Sequence, residues 1–150
     1  MAVLTPTETD CLLLELEPLV DTAAKKECLG VRQFTRLFTE DKQLAELFHS
    51  AGIKDINTVL RSDAVRDNGL KAIENFLKLI SVASDAEKLA EYLEERAKSV
   101  ASQNVTKEIC LAAEPIIIDF YKGLVKSNES QAAIEKLLKH TYKILLSSME

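Results

Sequence analysis

No tryptophan, four glycines, three prolines, two histidines and three cysteines occur among the 150 residues, and each scarcity removes a class of answer. Cys11, Cys28 and Cys110 are odd in number and widely separated, which does not suit a disulfide framework; reduced thiols, mostly buried as small apolar groups, are expected. With His49 and His140 far apart, no zinc-binding spacing exists. Few glycines and no alternating pattern bounded by hairpin signals exclude a sheet. No apolar run approaches the roughly 18 residues of a membrane span. The opening MAVLTPTETD has no basic residue and no sustained apolar core, so it lacks the layout of a secretory signal and a cytoplasmic address is expected. Positive charge is not in excess either: the formal net charge is −5. Lys and Arg are scattered instead of forming a stripe with aromatics, which excludes nucleic acid as the expected partner.

What remains is 47% apolar and 29% charged residues in a chain the length of one compact domain, 1–150, long enough to bury a core of its own. The apolar residues recur at helical spacing. Thr5, Pro6 and Glu8 spell a helix start: a capping threonine, a proline where no N–H is needed, and a capping-box glutamate. Stripes follow at Leu12, Leu13, Leu16, Leu19 and Val20; at Val31, Phe34, Leu37 and Phe38; at Leu44, Leu47 and Phe48; and at Ile53, Ile56, Val59 and Leu60. Further stripes are Val65, Ala72, Ile73, Phe76, Leu77 and Ile80, then Leu89, Leu93, Ala97 and Val100, with Asp85 as the cap of the latter. Beyond the polar SQN come Val105, Ile109, Ala112, Ile116, Phe120 and Leu124. Last are Ala133, Ile134, Leu137, Leu138, Thr141, Ile144 and Leu145. The β-branched cluster PIII contains Pro115, which should kink its helix. No repeat of fixed period and no linker divides the chain. The expected fold is all-α, seven to eight helices.

No enzyme is expected. There is no Gly-rich phosphate loop and no Ser or Cys in a nucleophile motif, and the adjacent Glu94 and Glu95 point different ways on a helix. DAEKLAEYLEERAK reads as a solvated face.

Specific residues then choose among helical folds. GVRQFTRLFTEDKQLAELF, Gly30 to Phe48, resembles the second and third helices of the globin family: a glycine at a close helix crossing, an apolar residue four on, a Leu-Phe pair, and a phenylalanine ten residues later. VRDNGLKAIENFLKLI resembles the distal helix, with Gly69 as the glycine after the distal residue, and AAIEKLLKHTYKILLSSME the last helix. The resemblance covers nearly the whole chain and implies a globin-like fold. It also implies positions: Phe48 packs against haem, Asn68 stands where the distal histidine usually is, and Arg96 stands at the proximal histidine. Departures are Lys42 in place of a frequent proline, Leu16 in place of a first-helix tryptophan, and Pro115.

The proximal exchange decides what the resemblance implies for function. Haem iron in this family is held by the proximal histidine, and a guanidinium has no lone pair to offer. Glu95, Ala97 and Lys98 supply no imidazole, and no histidine lies between His49 and His140. His49 follows Phe48 near the pocket mouth and reads as a surface residue, as does His140. Other donors are Tyr92, Lys98 and Cys110, whose ordinary roles are a boundary aromatic, a solvated charge and a core filler. Asn68 could still hydrogen-bond a diatomic ligand.

The family's pocket would then be lined by Phe34, Phe48, Asn68, Ala72, Ile73 and Phe76 on the distal side, and by Tyr92, Arg96, Ile109 and Cys110 on the other. A dry void of haem size, several hundred Å³ at ~24 cal/mol per Å³, would cost on the order of 10 kcal/mol, which rivals a domain's whole stability. Such a pocket collapses, fills with its own side chains, or holds an apolar guest whose anionic head meets Arg96 or Lys98. Without a guest, Arg96 should reach water or a nearby acid. Three readings follow: a non-enzymatic globin-like binding module without haem or metal; a haem protein with unusual axial donors that binds oxygen or another diatomic gas; and a subunit whose helices make an oligomer contact, a homodimer at its simplest.

Overall fold

The computed structural model describes residues 2–41, 63–102 and 105–149. Among these residues every regular element is an α-helix: α1 (Pro6–Val20), α2 (Ala23–Glu40), α3 (Asp63–Val82), α4 (Ala86–Ser102), α5 (Lys107–Lys122) and α6 (Asn128–Ser147). The all-α expectation holds, with six helices among the described residues. The stripes at Leu44 to Phe48 and at Ile53 to Leu60, which complete the expected seven or eight, lie outside those residues. Two compact units are present, one of residues 1–16 and 77–150, the other of residues 17–76.

In the larger unit each helix begins where a side chain satisfies orphan amides. The Thr5 N–H donates to Glu8 Oε1 at 2.9 Å while Thr5 Oγ1 accepts from the Glu8 N–H at 3.1 Å, a closed capping box. Asp85 Oδ1 accepts from the N–H groups of Glu87 and Lys88, both at 3.1 Å. Thr106 and Ser127 cap α5 and α6 in the same way, through the amides of Ile109 and Ser130. The chain start is held by the Ala83 carbonyl, which accepts from both Val3 and Leu4 at 3.1 Å.

The core of this unit consists of Leu12, Leu16, Ile80, Leu89, Leu93, Ile134 and Leu137, each at most 2% exposed and each contributing about 1.5–3 kcal/mol by leaving water. α6 packs along α5 and also against α4. On α5 the buried face is Ile109, Cys110, Ala113, Ile117, Ile118, Phe120 and Tyr121, one position away from the expected Ala112 and Ile116. CLAAEPIII is apolar but for Glu114, so its periodicity does not fix the phase. Pro115 lies inside α5 without ending it.

Ile144 and Leu19, expected in the core, are exposed. Cys11 and Cys28 are exposed and only Cys110 is buried, which corrects the expectation of mostly buried thiols. A cysteine is small enough to sit on a helix surface at little cost.

In the smaller unit Thr22 caps α2 through the Lys25 N–H, and Leu29, Leu37 and Phe38 are buried. α2 crosses α3 with Gly30 against Gly69, both buried. A Cβ on Gly30 would overlap the Gly69 carbonyl, and one on Gly69 would lie 2.8 Å from the Gly30 carbonyl carbon. Only glycine at both positions permits this approach.

Candidate functional site

The residues that the resemblance assigns to one pocket fall in both units, and each group has its own geometry. In residues 17–76 the Gly30–Gly69 contact sets the frame. Phe34 stands one turn beyond Gly30, half-buried, and its ring centroid lies 5.5 Å from that of Phe38, tilted by 41°. Asn68, immediately before Gly69, and Ala72 are half-buried, while Ile73 and Phe76 on the same helix are buried. Gln33, also buried, was not expected; a glutamine inside a charged helix gives no signal of burial. Phe48 and His49 lie outside the described residues.

In the larger unit α4 carries Tyr92 and Arg96 one turn apart, both half-buried. Burial pushes the Tyr92 phenol upward in pKa, the Arg96 guanidinium partly opposes this, and Glu95 adds to it. Tyr92 therefore resists becoming a phenolate. Arg96 Nη1 donates to Ser99 Oγ at 3.5 Å, one turn along the helix, and the side chain stays partly open to solvent. Lys98 is 78% exposed beside Glu94, at 3.8 Å, as a solvated charge should be.

On α5, Ile109 and Cys110 are buried and the Cys110 thiol is raised by burial. Two phenols, Tyr121 and Tyr142, are raised in the same way, Tyr142 with smaller contributions from Cys110 and Glu114. None of these groups is poised to ionise. His140 on α6 is half-buried instead of exposed, and burial with the nearby Lys143 lowers its pKa.

Iron in a haem needs a neutral imidazole, a thioether, a thiolate or a phenolate. Within residues 63–102 there is no histidine, methionine or cysteine, and the single tyrosine is biased toward its protonated form. Among the described residues no cluster of three His, Cys, Asp or Glu could hold a metal ion, and no helix is long and apolar enough to cross a membrane. The donors of residues 63–102 do not suit axial ligation of a haem iron.

The α4 turn that carries Arg96 also borders an open groove of about 560 Å³. Its walls include Ala97, Ala101, Val105 and Met149, with Glu94, Lys98 and Lys107 as charged members. Sequence periodicity could not have located it, because it joins the end of α4 to the start of α5 and the end of α6.

No protein-family model matches the chain. Along its length it is similar to a protein named Globin from Isoparorchis hypselobagri, 28% identical over 137 residues that cover 91% of this chain and 92% of that one. A second protein named Globin, from Dicrocoelium dendriticum, is 28% identical over 144 residues, 96% and 94% of the two chains. The fold is similar to that of ferric Aplysia limacina myoglobin, with a TM-score of 0.81 at 19% identity, covering 98% of this chain and 99% of that one. With its all-α architecture and the glycine contact between α2 and α3, this likeness along nearly the whole chain shows a globin-like fold and a sequence similar to proteins named Globin.

Proposed function

We propose that this chain is a member of the globin family that acts as a non-enzymatic binding or interaction module and does not hold an iron-coordinated haem. The carrying observation is position 96: the side chain on the helix where the family's iron ligand is expected is a half-buried guanidinium turned to Ser99, and it has no lone pair for a metal. The bulky, largely buried side chains of Phe34, Phe38, Ile73 and Phe76 suit an interior filled from within. The lysines beside apolar residues in the groove along α4 suit a small apolar guest with an anionic head.

A second reading, a haem protein with an unusual axial donor, draws on the ferric state named for the Aplysia limacina myoglobin. Tyr92 is its best donor, and the upward shift of that phenol opposes it.

Haemin titration of the wild type and Arg96→His separates the two readings. The wild type is expected to give no stoichiometric band and no rise in melting temperature. Arg96→His, which restores an imidazole, gains a Soret band where the interior can open. Equal, saturable binding by both proteins, abolished by Tyr92→Phe, would establish the second reading.

A further inference from the structure

Resting on the reading of this chain as a haem-free binding module, we propose that the groove at the end of α4 takes a single-chain lipid phosphate, an alkyl phosphomonoester whose tail lies along α4 and whose head meets Lys98 and Lys107. The groove measures about 560 Å³, within the range of roughly 300–1,000 Å³ of ordinary small-molecule sites. It lies wholly in the unit of residues 1–16 and 77–150. Ala97 and Ala101 are four positions apart and share one face of α4, and two methyl side chains leave a trench where longer ones would fill it. Val105 carries the apolar surface into the connection before α5. Met149, half-buried just past the end of α6, adds an unbranched thioether that adapts to whatever lies against it. A flexible alkyl chain follows a trench of this kind.

Charge selects the head. The chain as a whole carries a formal −5 and repels anions, yet two of the three charged residues that line the groove are lysines. The third, Glu94, lies 3.8 Å from Lys98 with the two side chains 72% and 78% exposed. A pair so loose and solvated holds its lysine weakly. Thr106, also on the wall, accepts from the Ile109 amide at 3.2 Å through Oγ1, which leaves its own hydrogen as a donor. Two ammonium groups and a hydroxyl match a phosphate, with its second charge and three terminal oxygens, better than a carboxylate with one charge and two oxygens. The apolar floor in turn distinguishes a phosphate that carries an alkyl tail from free phosphate.

Isothermal titration calorimetry of the full chain with decyl phosphate, kept below its micelle-forming concentration, is the test. One molecule per chain is expected, bound roughly tenfold or more tightly than decanoate, decanol or inorganic phosphate. Hexyl phosphate lacks four of the methylenes and should bind roughly tenfold more weakly, since an open groove covers only part of each. Lys107→Glu and Ala101→Trp, both at exposed positions, should each weaken decyl phosphate by roughly tenfold or more, with circular dichroism showing both variants folded. Lys139→Glu changes a lysine of α6 outside the groove and should leave binding as it is. The absence of saturable binding overturns the proposal, as does binding that Lys107→Glu and Ala101→Trp leave intact. Inorganic phosphate bound as tightly as decyl phosphate overturns the alkyl tail. Decanoate bound as tightly overturns the phosphate head and leaves the reading of an anionic guest in place, whereas a one-to-one haemin complex of the wild type overturns the haem-free reading itself.

Discussion

Gly30→Ala is expected to lose about 3 kcal/mol of stability, the upper part of the range for overpacking a close contact, because the added methyl would overlap the backbone of Gly69. Neither partner is the end of a flexible side chain, so relief requires moving one helix against the other within the unit of residues 17–76. For a chain of this size that corresponds to a drop in Tm of roughly 6–12 °C, read by thermal denaturation followed at a helical wavelength. Gly123→Ala is the matched control. It closes α5 in a right-handed helical conformation, and a Cβ there would meet the Phe120 carbonyl oxygen at an ordinary 3.4 Å. That substitution should be neutral or stabilising by a few tenths of a kcal/mol. Similar losses at both positions would mean that glycine is needed for a reason other than the helix crossing.

Glu15→Gln is expected to cost about 1–2 kcal/mol at neutral pH and progressively less in acid. The Glu15 carboxylate accepts from the Ser130 hydroxyl, from the amides of Lys126 at 3.0 Å and Ser127 at 3.2 Å, and from the Ser127 hydroxyl at 2.9 Å. It thus ties α1 to the connection between α5 and α6. These bonds, that of Ser130 first, hold its pKa at about 2, below the ordinary 4.5, against an opposing contribution from burial. A depressed folded value means that the ionised form stabilises the fold. The contribution is complete above about pH 4.5 and is lost as pH falls through about 2. The magnitude is set by charge-assisted hydrogen bonds, discounted because the site is partly open to water. Urea denaturation at a series of pH values should show the wild type and Glu15→Gln converging across this window. A difference independent of pH would assign the loss to shape instead of charge.

Much of this architecture was legible in the sequence because its signals are local. Thr5 with Glu8 and Asp85 with its following amides behave as their spacing requires, and the apolar stripes of α3 and α6 are largely buried. The phase of α5 was not legible, since a segment apolar but for one glutamate has no preferred side. Nor was Glu15: within LELEPLV it looks like a surface acid, and its four donors come from residues more than a hundred positions away. Of the candidate site, Ile73, Phe76, Ile109 and Cys110 are buried, and Gly30 lies at a close helix crossing as the resemblance implied, with Gly69 as the partner that the sequence did not name. The partner of Arg96 was missed because Ser99 competes for it only in the folded helix, through a contact three residues along that composition does not single out.

The sharpest measurement is the visible absorption spectrum of the protein purified from cells supplied with a haem precursor. No Soret band is expected, because the helix that bears Arg96 has no histidine, methionine or cysteine and its one tyrosine is biased toward the protonated form. A Soret band at one haem per chain that persists through gel filtration would contradict this; its loss in Tyr92→Phe would name that phenol as the donor, and its survival there would place the donor on another segment.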